Sequence, residues 1–184
     1  MSGNIWKENR EDKQRKGLIH IYCGDGKGKT TAALGLTLRA AGRGMKVVIA
    51  RFLKTEDSGE VEMLRCLPGV YLFPCEKSFG FTFSMGEEEK KEAGKYYQSL
   101  FAQAVEREAD LLILDEILPA CQAGLVGKQE VEDFLKEHSP GLEVVLTGRK
   151  AWREILDMAD YVTEMKAVKH PYACKTLARR GIEY

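Results

Sequence analysis

The sequence lacks any long apolar run. No stretch approaches the roughly 18 consecutive apolar residues of a membrane-spanning helix, and residues 1–17 contain no apolar segment of the kind that a secretory signal carries. Net charge is also absent, because 28 Lys and Arg residues balance 28 Asp and Glu residues, so no global field draws the chain to nucleic acid or to an anionic membrane. These absences predict a cytoplasmic protein that binds neither nucleic acid nor membrane.

Cysteine is infrequent and shows no pairing pattern. The five cysteines include no C-x-x-C pair, and no histidine follows them at zinc-finger spacing. An odd number of scattered thiols is typical of a reducing compartment, where cysteine serves as a small core residue. A disulfide framework or a metal cluster is therefore not expected at these positions, which are Cys23, Cys66, Cys75, Cys121 and Cys174.

The length predicts one domain. A chain of 184 residues can bury about 70% of the surface that it exposes when unfolded, so its core needs no additional cross-links. Residues 1–17 carry mixed charges and one aromatic residue, Trp6. Such a segment buries too little apolar surface to fold alone. We expect a flexible charged segment over 1–17 and a single domain over 18–184.

Strand-like and helix-like patterns alternate along the chain. Short, largely apolar runs predict strands at 18–23, 46–52, 70–73, 109–115, 143–147 and 161–165. Helical spacing of apolar residues predicts helices at 29–41, 58–67 with Ser58 as N-cap, 87–108, 119–123, 128–137 and 152–158. This order predicts a doubly wound, mainly parallel α/β sheet with helices on both faces, which binds ligands at the carboxyl ends of its strands.

A glycine-rich loop joins the first strand to the first helix. It reads G-D-G-K-G-K-T-T, and Cys23 stands where the strict pattern G-x-x-x-x-G-K-[ST] has its first glycine. Glycines allow backbone N–H groups to approach an anion, and a helix N-terminus adds unpaired N–H groups and a positive dipole end. The loop therefore predicts a polyphosphate site, with Lys29 on the outer phosphates and the Thr30 hydroxyl on the accompanying magnesium ion.

Two carboxylates, Asp115 and Glu116, end the apolar run L-L-I-L-D-E. A strand end beside a phosphate loop is a suitable place for Mg²⁺, a hard cation that takes oxygen ligands. Successive side chains of a strand point to opposite faces, so we expect only one of the two to bind the metal directly. The alternative is that the pair caps the following helix.

Further candidate residues follow other predicted elements. Arg149, in T-G-R after the fifth strand, could hold phosphate oxygens at the same sheet edge or lie on the surface. The aromatic loop that contains Phe79, Phe81 and Phe83 either packs under the domain or contacts a flat apolar partner. The basic stretch from Lys166 to Arg180 is either a solvated tail or an anion contact.

The ordered motifs together resemble the ATP:corrinoid adenosyltransferases of the bacterial cobalamin pathway. They are G-D-G-K-G-K-T-T-A-A, G-F-T-F, L-L-I-L-D-E, V-V-L-T-G-R, V-K-H and the final G-I-E-Y, and the resemblance spans about 17–184. It implies a P-loop domain of the RecA-like type. It also implies that a reduced corrinoid, cobalamin or a precursor, attacks the 5′ carbon of ATP and that triphosphate leaves.

The resemblance also implies roles for individual residues. Lys29, Thr30 and Glu116 would be catalytic, with Thr30 and Glu116 holding Mg²⁺ and Asp115 as an alternative ligand. Phe81 and Phe83 would contact the corrinoid, with Phe83 in place of the tryptophan of relatives. The residues that would bind ATP by this resemblance are Gly24, Asp25, Gly26, Lys27, Gly28, Lys29 and Thr30. Thr31, at the start of the helix, and Arg149, after the fifth strand, are ATP-binding candidates from their positions.

Assembly and electron supply are further expectations from this resemblance. It implies a homodimer, an N-terminal segment that folds over the corrinoid, and a source of electrons such as a flavoprotein-type reductase. Two other classes remain open at this stage. One is an ordinary P-loop ATPase or kinase that cleaves a phosphoanhydride bond, and the other is a nucleotide-switched binding module.

Overall fold

A six-stranded, entirely parallel sheet forms the centre of the protein. The computed structural model describes residues 16–77, 79, 85–138 and 140–184. The strand order is β3-β2-β4-β5-β1-β6. The strands are β1 (Ile19–Cys23), β2 (Val47–Arg51), β3 (Val70–Leu72), β4 (Leu111–Asp115), β5 (Glu143–Thr147) and β6 (Tyr161–Glu164).

Helices cover both faces of this sheet. The helices are α1 (Lys29–Ala41), α2 (Glu60–Arg65), α3 (Glu87–Glu106), α4 (Ile117–Gln122), α5 (Lys128–Glu137) and α6 (Arg153–Met158). Buried residues of α1 and α2 form one apolar cluster with the sheet, and those of α3 to α6 form the other. The predicted doubly wound α/β sheet of P-loop (RecA-like) type is therefore confirmed.

The alternation of side chains along β4 explains why its sequence is apolar throughout. Leu111 and Ile113 pack in the cluster with α1 and α2, whereas Leu112 and Leu114 pack in the cluster with α3 to α6. A strand with helices on both sides needs apolar residues at every position. β4 lies between β2 and β5, so its carboxyl end is brought close to those of its neighbours.

Several predicted boundaries were wrong. Ser58 is not the N-cap of α2, because the helix begins after Gly59 and has no side-chain cap hydrogen bond. α4 begins at Ile117 rather than at Pro119, since proline is tolerated in the first turn of a helix. A 3₁₀ helix at Pro171–Cys174 was not predicted.

The cysteines only partly fill the expected role. All five are free thiols, and Cys121 is buried in the core as predicted. Cys66 and Cys174 are exposed, so the expectation of small core residues was wrong for these two. None of the helices that the structure describes combines the length and apolar composition that a bilayer crossing requires.

Candidate active site

The glycine loop is shaped by the chain that leaves β6. Gly24 and Gly28 have positive φ angles of 100° and 114°, which side chains other than glycine rarely allow. A Cβ atom added to Gly24 or Gly26 would lie 2.3 Å or 2.6 Å from the carbonyl oxygen of Met165. These two glycines are therefore required because Met165 runs directly against the loop.

The polar groups of the loop are partly bonded within the protein. The N–H of Gly24 donates to the Arg149 carbonyl over 2.9 Å, and that of Gly26 donates to the Met165 carbonyl over 2.6 Å. Lys29 Nζ donates to the carbonyl oxygens of Gly24 and Gly26, over 2.8 Å and 2.7 Å. The donors left for an anion include the N–H groups of the first turn of α1, which have no partner within a helix.

A hydrogen-bonded network joins the start of α1 to the ends of β4 and β5. Its centre is Asp115, whose side chain is 1% exposed. The hydroxyls of Thr30 and Thr147 donate to Asp115 Oδ1 over 2.9 Å and 2.7 Å. The Thr147 hydroxyl also accepts the N–H of Glu116 over 2.8 Å. The network therefore holds Thr30 and Glu116, the two predicted metal ligands, at one sheet edge.

Glu116 has an unusual backbone and a shifted pKa. Its φ angle of 60° lies in the left-handed region, and α4 has no side-chain cap hydrogen bond, so the alternative role of a side-chain helix cap is not supported. Burial raises the pKa of Glu116, and the charge of Asp115 raises it further. Lys54, Lys29 and Arg149 partly offset that rise in pKa, and a bound cation would act in the same direction.

A cavity of about 630 Å³ opens beside this network. It is bounded by the glycine loop, the first turns of α1, the segment before α2, Glu116 and the last residues of the chain. Its lining residues are Gly26, Lys27, Gly28, Lys29, Thr30, Thr31, Leu34, Gly35, Leu38, Lys54, Ser58, Gly59, Glu60, Glu116, Gly181, Ile182, Glu183 and Tyr184. Most of the predicted nucleotide-binding residues therefore surround one cavity.

Three predicted ATP-binding residues, Gly24, Asp25 and Arg149, lie outside this lining. The Asp25 carboxylate accepts the N–H of Ala167 over 3.0 Å, and that hydrogen bond lowers the pKa of Asp25. Arg149 is exposed after β5, and its carbonyl binds Gly24. Arg149 is thus at the predicted sheet edge, whereas Asp25 fastens the loop to the segment after β6.

The segment after β6 reaches the cavity through its last residues. Lys27 Nζ lies 2.9 Å from Glu183 Oε1, and Arg179 also pairs with this carboxylate. Hydrogen bonds from Arg179 and then from Lys27 lower the pKa of Glu183 to about 2. Neither alternative for the basic stretch, a solvated tail or an anion contact, describes Arg179, because this residue forms an ion pair with Glu183 of the same chain.

The aromatic loop is only partly described. Phe79 packs against Tyr96 and Tyr97, with ring centroids 5.8 Å and 5.7 Å apart, which favours the packing alternative for this residue. Phe81 and Phe83 lie outside the described residues, as does Trp6.

Sequence reasoning missed three contributors to the site. Thr147 belongs to the motif that ends in Arg149, but no role was predicted for it. Lys54 and the cavity-lining role of 181–184 were not predicted either. Thr147 is the last residue of β5 and Lys54 follows β2, and these positions at strand ends were the available signal. Nothing local indicated that 181–184 would return to the glycine loop.

Comparison with known proteins decides the family. The sequence profile of the family described as ATP:corrinoid adenosyltransferase BtuR/CobO/CobP matches residues 15–184. The corrinoid adenosyltransferase of Escherichia coli K12 and the corrinoid adenosyltransferase CobA of Salmonella typhimurium are each 33% identical over 175 residues, which is 94% of this chain and 88% of theirs. The chain belongs to the ATP:corrinoid adenosyltransferase family. The Pseudomonas aeruginosa corrinoid adenosyltransferase is 31% identical over 183 residues, covering 94% of this chain and 86% of its own.

The family assignment confirms the resemblance that the motifs carried.

Proposed function

We propose that this protein transfers the 5′-deoxyadenosyl group of ATP to the cobalt of a reduced corrinoid and releases triphosphate. The observation that carries this proposal is the family match over 15–184, which includes every element of the phosphate-loop cavity. Cobalt(I) supplies the electron pair of the new cobalt–carbon bond and becomes cobalt(III). The electron pair of the broken C5′–O bond stays on the triphosphate.

Catalysis then depends on charge that develops on the leaving triphosphate. Lys29 and the N–H groups of Thr30 and Thr31 lie where they can bind it, as do those of Lys27 and Gly28 in the loop. Donors that are fixed before the reaction stabilise such charge without reorganisation. In this mechanism no protein group removes a proton, because the nucleophile carries none.

We further propose Thr30 and Glu116 as the ligands of a magnesium ion. The Thr30 hydroxyl donates its hydrogen to Asp115, which leaves its oxygen lone pairs available to a cation, and Thr30 lines the cavity. Glu116 is a carboxylate whose pKa is raised by burial, and this oxygen set fits a hard cation. When bound, Mg²⁺ would neutralise charge on the phosphates. Asp115 would position Thr30 rather than bind the metal.

The corrinoid site and the assembly are also proposals. Phe81 and Phe83 would contact the corrinoid, and residues 1–17 would fold over it. We infer a homodimer in the cytoplasm, supplied with electrons by a flavoprotein-type reductase. The edge strand β6 gives support for self-association, since Tyr161 and Val162 are 52% and 50% exposed and an open sheet edge favours pairing or covering by a partner.

The proposal is tested with reduced cobalamin, ATP and Mg²⁺ under anaerobic conditions. The expected products are a light-sensitive adenosylated corrinoid and tripolyphosphate, in equal amounts. Lys46→Gln is a matched control, because Lys46 pairs with Glu108 before β2, at the opposite end of the sheet from the site. Release of orthophosphate without any adenosylated corrinoid would refute the proposal and indicate an ordinary P-loop hydrolase.

A further inference from the structure

Lys54 differs from the other lysines that line the cavity. Lys27 pairs with Glu183, and Lys29 donates to two carbonyl oxygens of the loop. Lys54 Nζ makes no hydrogen bond to any residue that the structure describes. The carboxylate oxygen Asp115 Oδ2 lies 3.8 Å away, beyond hydrogen-bonding distance. The three donors of this ammonium group, which lines the cavity, are therefore not taken up by any of the described residues.

The ion pair of Lys54 with Asp115 does not explain why the Lys54 side chain lies in the cavity. Asp115 already accepts the hydroxyls of Thr30 and Thr147, so its carboxylate does not depend on the lysine for a donor. The Lys54 side chain is 31% exposed, and a loose ion pair that is open to solvent contributes little to stability. A ligand with stronger acceptors could therefore draw the ammonium group away from Asp115 at small cost.

The backbone that carries Lys54 is constrained. Leu53 has a φ angle of 54°, a left-handed conformation that costs a branched residue energy unless its surroundings enforce it. Before it, the N–H of the fully buried Phe52 donates to the Asp115 carbonyl over 2.8 Å. After it, the buried guanidinium of Arg51 holds the Thr55 carbonyl over 3.2 Å. The strained residue is thus held on both sides, which fixes the direction in which the chain presents Lys54.

A second strained residue follows the neighbouring strand. Glu116 follows β4 with a φ angle of 60°, and β4 pairs with β2, the strand that precedes Leu53. Lys54, Lys29 and Glu116 all line the same cavity, so the two ammonium groups lie around one site. Backbone strain of this kind is typically kept at sites that bind ligands.

We propose that Lys54 is a second phosphate-binding lysine. Its ammonium group moves away from Asp115 and, together with Lys29, binds the triphosphate part of the nucleotide. This inference rests on the proposed function for its catalytic consequence. As the C5′–O bond breaks, its electron pair passes to the triphosphate oxygen. Lys54 donates hydrogen bonds to that departing group and transfers no proton.

The first test uses inorganic tripolyphosphate and isothermal titration calorimetry on the full chain. Lys54→Gln should weaken tripolyphosphate binding about tenfold or more, since a hydrogen bond between charged groups is lost. Lys54→Arg, which keeps the charge, should bind more tightly than Lys54→Gln. Lys46→Gln, the matched control, should bind like the unmodified protein. The deficit of Lys54→Gln should shrink as salt is added, because screening weakens the lost attraction.

The outcomes distinguish phosphate binding by Lys54 from a purely structural role of this residue. They also distinguish a failure of this inference from a failure of the proposed function. Tripolyphosphate affinity within about twofold of the unmodified protein, with only a lower melting temperature, would overturn the inference and leave Lys54 as a stabilising partner of Asp115. A Lys54-dependent affinity supports the inference. If that affinity is found but the unmodified protein forms no adenosylated corrinoid, the proposed function fails while the phosphate-binding role of Lys54 stands.

Discussion

Removing the Thr147 hydroxyl should destabilise the fold and the site together. Thr147 is fully buried, donates to Asp115 over 2.7 Å and accepts the N–H of Glu116 over 2.8 Å. Thr147→Val keeps the shape of the side chain but leaves that N–H without its partner and removes a donor from a charged group. An unsatisfied buried donor costs about 1–3 kcal/mol, and a hydrogen bond to a charged group contributes about 1.5–3 kcal/mol.

The expected total cost in free energy of unfolding is smaller than the sum of these two costs, because Asp115 keeps its hydrogen bond from Thr30. We expect a loss of about 3 kcal/mol in the free energy of unfolding, which lowers the melting temperature of a chain of this size by roughly 6–12 °C. Urea unfolding followed by circular dichroism measures the first quantity and calorimetry the second.

Thr147→Ser is the matched control for this substitution. It keeps the hydroxyl and loses one methyl group, so its cost should be only about 1 kcal/mol. Adenosyl transfer should fall in Thr147→Val even where the protein is fully folded, because Glu116 is no longer held. A loss below about 1 kcal/mol in Thr147→Val would refute the reasoning, since it would mean that the network does not depend on this hydroxyl.

Three other predictions test the loop and the carboxylate. Lys29→Ala should reduce adenosyl transfer by at least about 100-fold in a single-turnover assay, and full activity would contradict the assignment of the phosphate loop. Gly26→Ala should lower the urea midpoint, because the added Cβ would lie 2.6 Å from the Met165 carbonyl oxygen. Gly94→Ala is its control, since a Cβ at this position of α3 would meet no atom within 4 Å. It should raise the free energy of unfolding by up to about 1 kcal/mol. Burial raises the pKa of Glu116, so its charge destabilises the fold at neutral pH. Glu116→Gln should therefore raise the urea midpoint at pH 7. This increase should disappear as the pH falls through the raised pKa to below the ordinary value of 4.5, because the carboxyl group is then neutral in both states. An increase that persists in acid would point to another cause.

The fold was largely predictable because each strand is marked by its own local sequence. Runs such as L-L-I-L-D need no information from elsewhere in the chain, since a strand covered on both faces is apolar at every position. The phosphate loop was equally readable, because its glycines, Lys29 and Thr30 are contiguous. Boundaries were less reliable, as at Ser58, where the capping preference of serine was not realised.

The parts that sequence reasoning missed depend on contacts between distant residues. The glycines were interpreted as space for an anion, yet Gly24 and Gly26 also make room for Met165. Thr147 has its role only because β5 lies beside β4. Lys54 has its role only because a left-handed residue turns the chain after β2. None of these relations leaves a periodic or local pattern that a sequence can display.

The dependence of the glycine loop on Arg149 and Met165 has a consequence for biosynthesis. The loop precedes β5 and β6 in the chain, but the carbonyl groups that bind Gly24 and Gly26 belong to Arg149 and Met165, which follow those strands. Contacts between such distant segments form late in folding. The glycine loop therefore takes its observed shape only after β5 and β6 have been synthesised and have joined the sheet.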